Sequence, residues 1–298
     1  MATKSKRVLV TGSSGFTGKY LLNELSKQGF EIHELNGNSA ADSMDIRNPT
    51  FVDEKIKQID PSFVVHLAAI SYVGHGSANE MYDVNILGTR NLFEAIQNHG
   101  KSVKKIIVSS SANVYGNSDK SFINENTAVR PANDYAISKV AVENLAAIYG
   151  EDLPIVVTRP FNYTGVGQSL KFLVPKLVDH FVRNRTDISL GNLEVSRDFS
   201  DVRTVSWAYV RLLEQGVEGQ TYNIASGKAR TLESIIEDLE SLTAKRISVI
   251  SDGQLSRKGE VLALRGDASK LWDTIGVPPE IKFRETLEWM LAESRLAN

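Results

Sequence analysis

The sequence predicts an α/β protein, a doubly wound parallel sheet joined to a smaller α/β lobe toward the C-terminal end, and three observations carry this. Through the first half, short β-branched runs alternate with longer segments of helical period. A glycine-rich turn, Thr11-Gly12-Ser13-Ser14-Gly15-Phe16-Thr17-Gly18, stands between the first run and the first helical pattern. After about Arg159 the rhythm turns irregular, with polar, glycine-containing stretches at Asn162 to Leu170 and Ser251 to Val261.

The predicted strands are Val8 to Val10, Glu31 to Leu35, Phe63 to Leu67, Ile106 to Ser109 and Ile155 to Thr158. The clearest helical patterns are Asn85 to Gln97 and Tyr135 to Tyr149. Strand, helix, strand repeated in this way gives parallel pairing with helices on both faces, and a ligand then binds at the carboxyl ends of the strands. Thr221 to Ala225 is expected to rejoin the main sheet as a late strand. This divides the chain into 1–162 with about 197–224, and 163–196 with about 225–298.

Composition limits the function. At 298 residues, 42% hydrophobic and 23% charged, the chain has the make-up of a soluble globular protein with a sizeable core. A net charge of −2 without blocks of like charge argues against nucleic acid and anionic membranes as partners. No run is long enough to span a bilayer. The absence of cysteine removes disulfides and thiolate sites and suits a cytoplasmic setting. The five scattered histidines show no metal spacing, so no metal is expected, and His66 reads as a packed strand residue.

In the glycine turn each glycine has a mechanical role if the turn cradles a dinucleotide. Gly12 permits the tight turn, Gly15 lets the backbone approach a pyrophosphate, and Gly18 allows the helix to pack closely. The helix start at Phe16 and Thr17 then offers N–H groups and a positive dipole end to the phosphate. Tyr135 and Lys139 lie four apart and share a helix face. A free tyrosine has a pKa near ~10 while an acid or base working near neutrality wants ~7, a gap of roughly 4 kcal/mol that a nearby ammonium helps to close.

With Thr11, the Gly-x-x-Gly-x-x-Gly turn resembles the fingerprint of the extended short-chain dehydrogenase/reductase family. Further matching stretches follow in order: Asp45–Asn48, His66–Ala69 (HLAA), Asn85–Leu92 (NILGTRNL), Ser109–Gly116 (SSSANVYG), Tyr135–Lys139 (YAISK) and Arg159–Gly165 (RPFNYTG). The resemblance implies a Rossmann-type domain binding NADP(H) or NAD(H). It implies that Asp45 and Ile46 contact the adenine, that Leu67, Ala68 and Ala69 line the cofactor, and that Lys139 also holds the nicotinamide ribose. Ser111 would hydrogen-bond the reacting oxygen and Tyr135, completing a catalytic set of Ser111, Tyr135 and Lys139. Sugar-nucleotide dehydratases of this family carry a glutamate two residues after that serine. Here Asn113 stands in its place and cannot exchange the proton.

The second half is similar to the GDP-sugar branch, the GDP-4-keto-6-deoxy-D-mannose reductases above all, through Gly191–Val202, Tyr222–Gly227 and Arg257–Val261. Arg197 and Arg257 would then pair with the diphosphate, Glu260 with nucleotide ribose hydroxyls, and Asn162 with the sugar or phosphate. Against this, Arg197 could simply pair with Asp198, and Val166, Thr204 and Lys258-Gly259 depart from the branch pattern. The expected activity is NAD(P)H-dependent reduction of the C4 ketone of a nucleotide-linked 4-keto-6-deoxyhexose. The alternatives are a nucleotide-sugar 4-epimerase and, more distantly, a non-catalytic dinucleotide sensor.

The stretch Leu35 to Ser39 carries neither acid nor arginine, and Asn36 can donate to a phosphate, so both cofactors are expected to work with NADPH slightly preferred. The helices Glu80–Gln97 and Tyr135–Tyr149 have apolar residues on more than one face: Ile86, Leu87, Leu92, Phe93, Ala136, Val140, Leu145 and Ile148. Family resemblance makes these a two-fold four-helix bundle, hence a homodimer.

Overall fold

In chain order the strands are β1 (Arg7–Thr11), β2 (Glu31–Leu35), β3 (Phe63–His66), β4 (Lys105–Ser109), β5 (Ile155–Pro160) and β6 (Asn162–Thr164), followed by β7 (Asp187–Leu190), β8 (Ser196–Asp201), β9 (Thr221–Ile224), β10 (Ala229–Thr231), β11 (Ser248–Ser251) and β12 (Ala263–Leu264). The helices are α1 (Phe16–Lys27), α2 (Pro49–Ile59), α3 (Ala78–Tyr82), α4 (Gly88–His99) and α5 (Asp134–Tyr149), then α6 (Leu173–Val182), α7 (Val202–Gln215), α8 (Leu232–Thr243), α9 (Ser269–Ile275) and α10 (Phe283–Leu296). The structure is a computed structural model that describes residues 6–36, 45–118, 120, 122–193, 195–253 and 262–296.

Among these residues, six parallel strands pair in the order β2-β1-β3-β4-β5-β9. The period-two alternation of a strand sends Val8 and Val10 to one face and Leu9 to the other. The first face buries Leu21 and Leu25 of α1, Val205 and Tyr209 of α7 and Leu271 of α9. The second buries Val52 and Ile56 of α2, Leu92 and Phe93 of α4 and Val142 of α5. The order reverses between β1 and β3, and the crevice at such a switch point is where this architecture takes ligands.

The expected late strand is β9, which pairs with β5 from Val157 opposite Thr221 to Pro160 opposite Ile224. Two boundaries differ from expectation. β8 does not join the main sheet at about residue 197 but pairs with β6, β10 and β12 in a second sheet. Conversely, α9, assigned by sequence to the substrate lobe, packs its buried Leu271 and Ile275 into the main core. The physical reason is that polar β8 (SRDFSD) finds partners only among short strands, whereas α9 has an apolar stripe wide enough to cover the sheet edge. The lobe's own core joins α6, α8 and α10 through Leu177, Phe181, Ile235, Leu239 and Leu287.

α3 and α4 are linked by a π-helical turn at Asp83–Leu87 that carries buried Asn85. Of the apolar positions named on these two helices, Leu92, Phe93 and Ala136 enter the chain's own core. Leu87 and Ile148 stay exposed, at 49% and 66%, as does Ile137, which was not named from sequence, at 45%.

Candidate active site

At the carboxyl ends of β1, β3, β4 and β5 lies a cleft of about 500 Å³. Its floor is the glycine turn, whose dimensions exclude side chains. Gly12 sits at φ +69°, and a Cβ there would stand 2.7 Å from the Ala68 amide nitrogen. A Cβ on Gly18 would fall 2.3 Å from the Ser13 carbonyl oxygen, so α1 packs directly on the turn. Gly15 caps α1 without a side-chain acceptor, which presents the first-turn N–H groups, and with them the positive helix end, to the cleft. This cradle fits a dinucleotide pyrophosphate.

A buried hydrogen-bond chain ties the cradle to the opposite wall. The Ala68 N–H donates to Thr11 Oγ1 (3.1 Å), the Thr11 hydroxyl to His66 Nδ1 (2.7 Å), and His66 Nε2 to Thr89 Oγ1 (2.8 Å), whose own hydroxyl donates to the Asn85 carbonyl (2.5 Å). Because Thr89 donates onward to a carbonyl, it must accept from His66, which fixes the imidazole tautomer. Burial lowers the His66 pKa to about 3, so the ring is neutral. Asn85 then pairs with both backbone groups of Ile70 and donates to Ser138 Oγ, and Ser138 donates to the Tyr135 carbonyl. His66 is thus a packed strand residue, as expected, with a defined bonding role.

α5 begins at Asn133, whose side chain accepts from the Ala136 N–H and starts the helix at the cleft edge. Its first turns carry Tyr135 and Lys139, both buried and both lining the cleft. Lys139 Nζ donates to the Ser109 carbonyl (2.7 Å) and lies 5.9 Å from the centre of the Tyr135 ring. Ser111 accepts from both the backbone and side-chain nitrogens of Asn113, at 3.2 and 3.1 Å. Its hydroxyl bonds Tyr135 and favours the phenolate. The predicted downward tilt of the tyrosine is nevertheless reversed: burial pushes the Tyr135 pKa up, outweighing Ser111, with Tyr163 adding to the rise. Tyr135 is therefore held protonated. Burial lowers the Lys139 pKa to about 8, and the charge of Glu143 opposes that fall.

The other sequence-predicted residues separate into groups. Gly12, Gly15, Phe16, Thr17, Gly18, Leu67, Ala68 and Ala69 line the cleft, as do Ser111, Asn162 and Arg197. Asp45 is engaged by Arg47, and Ile46 is buried against Gly88; neither faces the cleft. Arg257 and Glu260 lie outside the described residues. Arg197 and Asp198 do not form the simple pair considered from sequence. Arg197 donates to the Ser196 and Leu262 carbonyls, whereas buried Asp198 accepts from the backbone of Ser226, Gly227 and Gly266.

Asn36 accepts from the Ser14 N–H (3.0 Å) at the cradle rim. Beside it stands Glu34, whose Oε2 lies 2.5 Å from Ser13 Oγ and 3.2 Å from Asn36 Nδ2. This carboxylate directly precedes the Leu35–Ser39 stretch and opposes the expected slight preference for NADPH, since an acid there suits ribose hydroxyls and repels a phosphate. Also missed was Tyr163, stacked on Phe16 at 6.1 Å with its hydroxyl 2.7 Å from Thr17 Oγ1. Ser109 and Ser110 do more than finish a strand: the Ser109 carbonyl holds Lys139, and Ser110 donates to Glu143.

Among the described residues the cleft lining contains two cations, Lys139 and Arg197, and neither a carboxylate nor an imidazole. A second cleft of about 530 Å³, beside the segment Val277–Arg284, carries the ion pairs Lys228 with Glu280 and Arg230 with Asp238. Among the described residues no group of acids and histidines is placed to hold a metal ion, and no helix is long and apolar enough to cross a membrane.

The chain is 34% identical to the GDP-6-deoxy-D-talose 4-dehydrogenase of Aggregatibacter actinomycetemcomitans over 91% of each chain. It is 32% identical to the GDP-6-deoxy-D-mannose reductase of Pseudomonas aeruginosa over 97% of each. The solved structure of RMD from Pseudomonas aeruginosa complexed with NADPH superposes with a TM-score of 0.87 at 30% identity, covering 99% of this chain and 100% of that one. The model of the GDP-mannose 4,6 dehydratase family matches residues 9–290, and the chain belongs to that family.

Proposed function

We propose that this chain is an NAD(P)H-dependent reductase of the C4 ketone of a nucleotide-linked 4-keto-6-deoxyhexose, with GDP-4-keto-6-deoxy-D-mannose as the best-fitting substrate. The observation that carries the reading is a cleft lining that holds no acid among the described residues: Ser111, Tyr135 and Lys139 face the cradle, and Asn113 stands where a dehydratase needs a carboxylate. Loss of water requires a base to take a carbon-bound proton, and Asn113 instead spends both its nitrogens on Ser111. The relatives named for redox chemistry on GDP-6-deoxyhexoses support the same choice.

A dinucleotide held on the Gly12–Gly18 turn and by Lys139 would supply the hydride for the sugar C4. The Tyr135 hydroxyl gives its proton to the C4 oxygen, held by the Ser111 hydroxyl, and the Lys139 ammonium stabilises the phenolate left behind. Arg197 offers the diphosphate a cation from the lobe side of the cleft. Incubation with NADPH or NADH and GDP-4-keto-6-deoxy-D-mannose is expected to give one reduced sugar per cofactor oxidised, followed by absorbance and product chromatography. Interconversion of closed hexoses without net cofactor consumption would establish the epimerase instead.

The assembly we propose is a cytoplasmic homodimer built on α4 and α5, supported by the exposed apolar side chains Leu87, Ile137 and Ile148. Light scattering at micromolar protein is expected to give the mass of two chains. A single-chain mass would reject the dimer.

A further inference from the structure

α5 carries one more polar residue on its active face. The helical repeat places Glu143 four residues beyond Lys139, in register with Tyr135. Its side chain is 14% exposed and is held by three hydrogen bonds from two side chains. Ser110 Oγ donates to Oε1 (2.5 Å), and Arg159 of β5 grips both oxygens, Nε at 2.8 Å and Nη2 at 2.6 Å. Arg159 is itself fixed. Its Nη1 donates to the Tyr115 hydroxyl (3.0 Å) and the Glu125 carbonyl (3.2 Å), and its guanidinium lies 4.9 Å over the Tyr115 ring. The Tyr115 hydroxyl continues to Asn223 Oδ1 (2.6 Å).

We propose that Glu143, clamped by Arg159, is a positioning residue that keeps the Lys139 ammonium charged and aimed into the cleft. The inference rests on the role given to Lys139 above. A buried lysine needs a nearby negative charge, yet a carboxylate in direct contact would draw it away from its work. The geometry separates the two demands. Arg159 occupies both carboxylate oxygens, while Lys139 is hydrogen-bonded to a neutral group, the Ser109 carbonyl, and feels the Glu143 charge from one helical turn away. The other groups facing this corner are the neutral imidazole of His66 on β3, the Tyr209 hydroxyl of α7 on Ser109 Oγ, and the hydroxyls of Tyr135 and Tyr163. Glu143 is thus the negative charge acting on Lys139 among the described residues.

The test compares wild type with Glu143→Gln. Lysine-¹³C NMR of the cofactor-free protein, with Lys139→Met identifying the resonance, follows the Lys139 titration directly. The Lys139 midpoint is expected to fall by about one pH unit, a tenfold loss of proton affinity. The alkaline limb of kcat/KM should fall by the same amount. Turnover would then stay within about threefold of wild type near ~pH 6.5 and drop about tenfold near ~pH 8.5, with NADPH affinity weakening in parallel as pH rises. A purely structural role would lower activity equally at all pH values and leave the Lys139 midpoint in place, and that result overturns the proposal. If Glu143→Gln does not fold, the double variant Glu143→Gln with Arg159→Gln removes the unpaired guanidinium, and a smaller movement in the same downward direction is expected, because the cation that offset part of the carboxylate's charge is lost with it. An unmoved midpoint there also overturns it. If wild type fails to turn over the keto sugar, the reductase reading falls, while the NMR midpoint and cofactor affinity still decide the role of Glu143.

Discussion

Tyr135→Phe is expected to bind NADPH with near-normal affinity and to lose about 10²–10⁴ of the catalysed rate, the usual worth of a positioned proton donor. The ring stays, so its packing on the cleft wall and the capped start of α5 are kept, and only the hydroxyl is lost. Burial holds that hydroxyl protonated, as reduction requires, and Ser111 is placed to ease departure of the proton. Fluorescence titration of cofactor and single-turnover rates separate the two effects. Turnover within tenfold of wild type would remove Tyr135 from the proposed chemistry.

The second large effect is expected from Gly12→Ala. A side chain at φ +69° carries a left-handed penalty of roughly 1–2 kcal/mol. The added methyl also meets backbone, the Ala68 nitrogen at 2.7 Å, and overpacking of this kind costs about 1–3 kcal/mol. The midpoint of thermal unfolding should fall by roughly 5–15 °C. NADPH affinity should drop about tenfold or more, because relief of the clash moves the Leu67–Ala69 wall that lines the cleft. Calorimetry and cofactor titration check both halves, and an unchanged melting temperature with unchanged affinity would contradict the close approach seen here.

Much of this was legible before any coordinates. Period-two runs and helical periods marked the sheet and its helices, since those patterns follow from which faces must be buried. Glycine spacing marked the cradle, and Tyr135 and Lys139 shared a helix face by arithmetic alone. Glu143 was equally available to that arithmetic, at the next repeat of the same face, but spacing says nothing of charge partners. Only folding brings Arg159 from the neighbouring strand onto it. The placement of β8 was hidden for a similar reason: short polar strands are defined by their partners, and Ser196–Asp201 pairs with segments as distant in sequence as Ala263–Leu264, whose Ala263 stands opposite Ser196. Ile46 is buried against Gly88, and an apolar side chain beside a ligand site reads the same in sequence as one beneath it.

The chain of donors from Thr11 to Tyr135 has a consequence for how the site behaves before any ligand arrives. Three of its hydroxyls, those of Thr11, Thr89 and Ser138, and one imidazole N–H point in fixed directions, and reversing one leaves its neighbour with two donors or two acceptors face to face. The links are therefore cooperative: they hold together or fail together. The glycine turn with α1 and the start of α5 lie on different faces of the sheet, yet they share one internal scaffold. A fluctuation that loosens either is expected to disturb the other, so the spacing between the glycine turn and Tyr135 is built into the fold.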